Sequence, residues 1–135
     1  EICACLVGSE MCIRDRAQPY CVPVSHVLVD GCVYFHSNPR GCKAELLARN
    51  PRVCLTAVAD VHAIPMRFTT EYSSAIAFGT ARLVHDPAER RRALSAICEK
   101  YAASNPHRET CAANAGPETA VYCVEIESIT GKRSE

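Results

Sequence analysis

The chain lacks both net charge and long hydrophobic runs. Its 135 residues include 15 basic and 15 acidic side chains, which leaves a formal net charge of zero. A nucleic-acid surface that ignores base sequence needs an excess of Lys and Arg, so this composition argues against one. No apolar run approaches the roughly 18–20 residues of a membrane-spanning helix, and nothing resembles a signal peptide. We therefore expect a single cytoplasmic domain that binds a small molecule, with no nucleic-acid or membrane partner.

The sequence also lacks several short motifs that identify enzyme classes. It contains no G-x-G-x-x-G pattern, Walker loop, G-x-S-x-G turn or H-E-x-x-H pair. Ten cysteines are present, but no C-x-x-C pair and no Cys/His cluster with zinc spacing. Those after residue 16 lie about ten or more residues apart, at Cys21, Cys32, Cys42, Cys54, Cys98, Cys111 and Cys123. We interpret them as small buried hydrophobic residues in a reducing cytoplasm, with no metal site.

The first sixteen residues, EICACLVGSEMCIRDR, show neither strand alternation nor helical periodicity. They resemble the translation of a sequencing-library adapter, in which CTC GTG GGC TCG GAG ATG TGT ATA AGA GAC encodes the residues from Leu6 to Asp15. We therefore predict that residues 1–16 are an adapter-derived artefact and that the native domain occupies residues 17–135, incomplete at its N-terminus. A native strand before residue 18 would then be missing. The alternative is a real N-terminal strand.

Turn residues divide the remaining chain into short apolar runs. Residues 18–29 and Cys32–Phe35 flank Asp30-Gly31, a dipeptide that takes the positive φ angles of a tight turn, which predicts a β-hairpin. Further strands are predicted at Val53–Val58, Tyr72–Val84 and Ala120–Ile129. Gly79 interrupts the longest of these and predicts a bulge or the close approach of another backbone.

Two helices are predicted between the strands. The first covers Cys42–Arg49, and Asn50-Pro51 ends it. Its Leu46 and Leu47 are the expected core contacts. The second begins at Asp86-Pro87, because Asp is a favourable N-cap and Pro suits the first helical position, and it runs to about Ala103.

Polar segments complete the predicted order of elements. Glu89–Arg92 is expected to face solvent, residues 104–117 to form a loop, and residues 131–135 to form a polar tail. Strands that adjoin through hairpins form a mainly antiparallel sheet. The expected fold class is therefore mainly β, a small barrel with two flanking helices.

One pattern gathers groups that suit an anion. His36 and Ser37 end a predicted strand, and Lys43 follows Gly41 at the start of the first helix. A hydroxyl, an imidazole, a cation and the free N–H groups of a helix start can together bind a phosphate. The alternative is an ordinary solvated loop.

The segment PYCVPVSHVLVDGCVYFHSNPRGCKAELLARNPRVC resembles the FMN-binding split barrel of the pyridoxamine 5'-phosphate oxidase-related superfamily, in particular its nitroimidazole-reductase-like branch. The shared patterns are P-Y-x-V-P, Y-F-H-S, G-x-K and N-P-R-V, in that order. Tyr72–Ala81 is similar to the branch's Y-R-S-V-x-x-x-G-x-A strand, and Ile129–Arg133 to its I-T-G-K ending. The resemblance covers about residues 18–133.

The resemblance implies FMN as cofactor and a site made by Pro23, Val24, Ser25, His36, Ser37, Lys43 and Ser74. The backbone from Cys21 to Ser25 would follow the flavin ring. His36 would lie near the reactive part of the ring as the catalytic residue, and Lys43 would bind the phosphate. Ser74 would contact the cofactor from the long strand, across the interface of a homodimer.

Two positions depart from the family pattern. Ser73 stands where the branch has Arg, and Cys42 stands where oxidase relatives often have Arg beside the Lys. The function implied is an FMN-dependent oxidoreductase that passes electrons from reduced nicotinamide to a small organic acceptor such as a nitroaromatic. The alternatives are a non-catalytic flavin- or haem-binding module, acting as sensor or carrier, and a structural dimer module without cofactor.

Overall fold

A computed structural model describes residues 9–15 and 18–134. The strands are β1 Ser9–Asp15, β2 Gln18–Pro23, β3 His26–Val29, β4 Cys32–Ser37, β5 Arg52–Ile64, β6 Thr69–Leu83 and β7 Ala120–Ser134. The helices are α1 Cys42–Arg49, α2 Pro87–Tyr101 and α3 Arg108–Ala113, with a 3₁₀ turn at Pro65–Arg67. Within these described ranges, no helix is long and apolar enough to cross a bilayer.

All seven strands belong to one antiparallel sheet in the order β2-β1-β5-β6-β7-β4-β3. The sheet curls around an interior core, and α2 packs against the outer face of β3, β4 and β7. The predicted fold class, mainly β with a split-barrel arrangement, is confirmed. The short helix α3 is an addition, because it lies within the segment predicted as loop.

Strand β1 comes from the adapter-like segment, of which residues 1–8 and 16 lie outside the described part of the chain. It pairs with β2 on one side and with β5 on the other, so that Met11 lies opposite Val22 and Leu55. The Met11 side chain is fully buried in the interior core. The structure therefore has a strand before residue 18, at the position of the native strand that we expected to be missing.

The tight turn and the first helix are confirmed. Asp30 and Gly31 have φ angles of 50° and 79° and join β3 to β4, as in a two-residue hairpin turn. Helix α1 has the predicted bounds. Leu47 is buried in the interior core and Leu46 packs against it.

Strand β4 is buried on both faces. Phe35 points into the interior core, where its ring stacks on Tyr122 with centroids 5.3 Å apart. Tyr34 points to the opposite face and packs with residues of α2, including Leu94 and Ile97. Burial on two sides fixes the carboxyl end of this strand, which carries His36 and Ser37.

The lengths of two strands differ from the prediction. Residues 60–64 continue β5, and residues 131–134 extend β7 instead of forming a tail. These residues are polar or only partly buried, so their sequence carries little strand signal. Their pairing with β6, which reaches Tyr72 opposite Ser134, satisfies their backbone groups instead.

The polar stretch of α2 is only half solvated. Glu89 accepts a hydrogen bond of 2.8 Å from the Tyr34 hydroxyl and a bidentate ion pair from Arg82. The Arg90 guanidinium donates 2.9 Å hydrogen bonds to the carbonyl oxygens of Ala115, Gly116 and Thr119. The expectation that Glu89–Arg92 faces solvent is therefore wrong for Glu89 and Arg90, which hold α2 to the sheet and to the loop before β7.

The cysteine prediction is only partly correct. Cys123 is fully buried, and burial raises the pKa of its thiol to about 11. Cys21 and Cys42, however, are exposed. Cys21 lies on β2, the edge strand of the sheet, and Cys42 begins α1, and spacing along the chain does not predict burial at either place.

Gly79 lies at a register shift between β6 and β7, as its position within a strand predicted. A Cβ placed there would overlap the backbone carbonyl of Glu125. Backbone cannot move aside as a side chain can. Only glycine therefore allows this close approach.

We expect Gly79→Ala to destabilise the protein by about 1–3 kcal/mol, because the added methyl group must displace a neighbouring strand. Urea unfolding followed by circular dichroism measures the change. Gly116→Ala is the matched control, since its Cβ meets only the carboxylate of Glu118, an exposed and flexible side chain. Equal losses of stability from the two substitutions would contradict the close approach of the Glu125 backbone to Gly79.

Candidate functional site

A tight loop connects the carboxyl end of β4 to the start of α1. His36 and Ser37 pair with Val121 and Ala120 of β7. The Asn38 side chain then accepts a 2.8 Å hydrogen bond from the backbone N–H of Arg40, which turns the chain back. Gly41 follows with a φ of 134°, a conformation that side-chain-bearing residues rarely adopt.

Lys43 reaches back from α1 over the strand. Its Nζ lies 5.6 Å from the centroid of the Phe35 ring, a cation–π contact. The side chain is partly buried, and burial lowers the pKa of its ammonium group. Among the described residues, no carboxylate pairs with it. Lys43 is thus a partly desolvated cation whose charge is available to an anion.

His36 lies beside this cation. Burial, and then the charge of Lys43, lower the pKa of His36 below its ordinary value of 6.5. At neutral pH the imidazole is therefore neutral, with one nitrogen that donates a hydrogen bond and one that accepts. This favours a hydrogen-bonding role over the charged acid that an unperturbed histidine could provide.

The segment Pro23–Ser25 runs past the same strand end. Ser25 directly precedes His26, which pairs with Phe35, and His36 directly follows Phe35. Val24 packs against the interior core, whereas Pro23 and Ser25 are exposed. The structure thus brings six of the predicted site residues to one corner of the sheet, namely Pro23, Val24, Ser25, His36, Ser37 and Lys43.

The seventh predicted residue, Ser74, lies elsewhere in the same chain. It pairs with Lys132 on β7, whereas His36 pairs with Val121, eleven residues away along that strand. Eleven residues of strand span about 35 Å. The path along β7 from Ser74 to His36 is therefore long. Across the sheet, however, Ser74 is two residues from Ile76, which is in register with Pro23 three strands away.

Comparison with known proteins identifies the family. The sequence profile described as pyridoxamine 5'-phosphate oxidase matches residues 10–133. The chain belongs to this family. The resemblance inferred from the sequence motifs is therefore confirmed. No curated protein matches the sequence.

Several solved structures share the fold. A candidate 5-nitroimidazole antibiotic resistance protein from Bacteroides thetaiotaomicron is 25% identical, with a TM-score of 0.75 over 93% of this chain and 76% of that one. An FAD-binding protein from Mesorhizobium loti is 20% identical, with a TM-score of 0.72 over 99% and 90%. A candidate pyridoxamine 5'-phosphate oxidase from Listeria innocua is 19% identical, with a TM-score of 0.66 over 91% and 86%.

Two residues at the end of α2 support the corner and were not predicted to do so. The Tyr101 hydroxyl donates to the His26 carbonyl at 2.9 Å and accepts from the His26 N–H at 3.1 Å. Lys100 Nζ donates to the same carbonyl at 3.0 Å. Leu94, Ile97, Cys98 and Tyr101 have the spacing of one apolar helical face. Nothing in that spacing indicated that the Tyr101 hydroxyl would hold the backbone next to Ser25.

The neighbourhood of His36 predicts a specific response to substitution. We expect Lys43→Gln to raise the pKa of His36, because the nearby positive charge that disfavours the imidazolium is removed. Proton NMR titration of the imidazole signals measures this. Lys100→Gln is the matched control, because Lys100 helps to lower the pKa of the buried His26 to about 4. It should raise the pKa of His26 and leave that of His36 unchanged. An unchanged pKa of His36 in the Lys43→Gln variant would contradict the proximity of His36 to Lys43.

Proposed function

We propose that the chain binds FMN at the corner formed by β4 and α1 and acts as an oxidoreductase. It would pass electrons from reduced nicotinamide to a small organic acceptor such as a nitroaromatic. The observation that carries this proposal is the partly buried Lys43, which has no carboxylate partner in the described chain and lies beside a neutral His36. FMN supplies the electron-transfer chemistry when bound, and the protein binds, orients and shields it.

The phosphate end of the cofactor fits the start of α1. A phosphate would pair with the Lys43 ammonium, a contact that is strong because the cation is partly removed from water. Free backbone N–H groups at the start of the helix favour the same negative charge. Cys42 is exposed and uncharged where relatives often have Arg, so Lys43 carries the side-chain part of phosphate binding here.

The flavin ring would lie along Pro23–Ser25. Tyr101 and Lys100 of α2 hydrogen-bond to the backbone of His26, which directly follows this segment. A backbone fixed in this way suits the recognition of polar ring atoms by peptide groups. The neutral His36 would exchange hydrogen bonds with the ring and serve as the catalytic residue, holding or moving a proton at one imidazole nitrogen. Ser37 would contribute its hydroxyl, which in the structure donates to the Asn38 carbonyl at 3.2 Å.

Ser74 supports a homodimer with the cofactor between subunits. Within one chain it lies eleven residues along β7 from the partner of His36 and about three strands from Pro23. A second copy could bring its own Ser74 to the corner. We call the part of β5, β6 and β7 that carries Ser74 and the β5–β6 hairpin tip the arm. Each of the two sites would then combine the corner of one subunit with the arm of the other.

FAD is the alternative flavin, because an FAD-binding protein shares the fold. Flavin released from the purified protein by heat, identified by mass spectrometry, distinguishes the two. Oxidation of reduced nicotinamide at steady state distinguishes an enzyme from a non-catalytic flavin- or haem-binding module. A tightly bound flavin without such turnover would favour the module.

Lys43→Ala should weaken FMN binding by about 1–3 kcal/mol, because a charge-assisted contact to the phosphate is lost. Quenching of FMN fluorescence on titration measures the affinity. Arg91→Ala, an exposed cation on α2, is the control for the change in net charge and should have little effect. Equal affinities of Lys43→Ala and the unmodified protein would remove Lys43 from the site.

The dimer proposal predicts complementation between two defective variants. Lys43→Ala damages the corner, and Ser74→Tyr fills the arm. Each variant alone should bind little FMN at a concentration that just saturates the unmodified protein. Random 1:1 mixing leaves one intact site in each mixed dimer, so about a quarter of all sites should be restored. Light scattering checks that both variants dimerise. Dimers that exchange subunits without restored binding would show that the arm is not part of the site.

A further inference from the structure

A cavity lies at the end of β7 opposite to the end that pairs with His36. It has a volume of about 690 Å³ and is bounded by the β5–β6 hairpin tip and the end of β7. Its apolar wall comes from Ile64, Pro65 and Phe68. This volume falls within the roughly 300–1,000 Å³ typical of small-ligand sites.

Phe68 has an unusual backbone conformation at the tip of the hairpin. Its φ angle of 50° lies in the left-handed region, which bulky residues rarely adopt. Its side chain is 98% exposed, so no packing within the described chain compensates for this conformation. Residues in such rare backbone conformations cluster at ligand-binding positions, where a bound ligand can supply contacts that the protein itself does not.

Lys132 provides a cation on the opposite wall. Its Nζ lies 5.4 Å from the centroid of the Tyr72 ring, and both side chains line the cavity. No carboxylate among the described residues pairs with it. The hydroxyl-bearing residues Thr69, Thr70 and Ser134 complete this polar wall.

We propose that this cavity binds an organic anion that carries a planar aromatic ring. The anionic group would pair with Lys132 and the hydroxyls, and the ring would cover Phe68 and Tyr72. Charge, hydrogen bonding and aromatic contact are then all satisfied by one molecule. Binding of a small aromatic anion here depends only on these residues, whereas a contact to FMN held by another copy rests on the proposed function.

Two sources supply such an anion. One is a small aromatic carboxylate, which suits an acceptor or other substrate. The other is FMN itself, since Lys132 pairs in register with Ser74 and the arm of one copy could contact the cofactor held by another. The two sources share the aromatic anion, and they differ in whether Lys132 affects FMN binding.

Isothermal titration calorimetry of flavin-free protein tests the site with 4-nitrobenzoate and, separately, with FMN. We expect at least one of them to bind saturably and Lys132→Gln to weaken that binding about tenfold or more. Phe68→Ala should weaken it several-fold. If 4-nitrobenzoate is the ligand, nitrobenzene, which lacks the carboxylate, should bind at least about tenfold less tightly.

Two matched variants control for general effects. Met66→Ala removes a side chain that is 90% exposed on the same tip but does not line the cavity. Arg91→Gln removes one positive charge from an exposed position on α2. Both should leave binding within about twofold, which is a negligible free-energy change.

The outcomes separate this site from the corner. Loss of 4-nitrobenzoate binding in Lys132→Gln, with FMN binding unchanged, supports a substrate site. Loss of FMN binding in Lys132→Gln supports a contact to the cofactor. The cavity proposal is overturned if every probe that binds does so independently of Lys132, or if neither probe binds saturably. FMN binding that needs Lys43 but not Lys132 would then leave the proposed function intact.

Discussion

The structure depends on the burial of strand β4 from both sides. Phe35 stacks on Tyr122 inside the curled sheet, and Tyr34 is held outside by α2 through Glu89. A strand fixed in this way presents its last two residues, His36 and Ser37, in one position. Removal of either layer would free the strand end and the loop to α1 with it, so the core and the candidate site are parts of one arrangement.

The same packing sets the electrostatics of the corner. Lys43 lies over the Phe35 ring, and burial lowers the pKa of its ammonium group. Removing a cation from water without an opposite charge costs free energy, and a bound anion recovers part of it. Burial, and after it the charge of Lys43, lower the pKa of His36. A single lysine therefore prepares the corner for a phosphate and adds to the shift of its neighbour.

The two ends of the sheet carry complementary features. The corner has a cation and a well-held backbone, whereas the arm formed by β5, β6 and β7 has exposed aromatic rings and Lys132. Neither end alone surrounds a large ligand. The separation of Ser74 from His36 along β7 is the reason for placing the proposed flavin site between two copies.

Local patterns made much of this predictable. The Asp30-Gly31 turn, the bounds of α1 and the break at Gly79 each follow from the conformation that one or two residues require. The extension of β5 and β7 did not follow, because their polar residues are held by pairing with β6 rather than by burial.

The sequence also did not predict side-chain roles that depend on residues far away along the chain. Glu89 and Arg90 look like a solvated helix face until Tyr34 and the loop before β7 are placed beside them. Tyr101 looks like a core residue until its hydroxyl meets His26. Lys132 resembles a polar tail residue, and only the structure shows that it lies on β7 opposite Ser74.

The central claim is that this corner binds a flavin through its phosphate. The most direct test is a titration of flavin-free protein with FMN and with riboflavin, followed by the visible absorption spectrum. We predict a shifted and better-resolved flavin band that saturates at one FMN per chain, with much weaker binding of riboflavin, which lacks the phosphate. A spectrum identical to that of free FMN at every protein concentration would contradict the account.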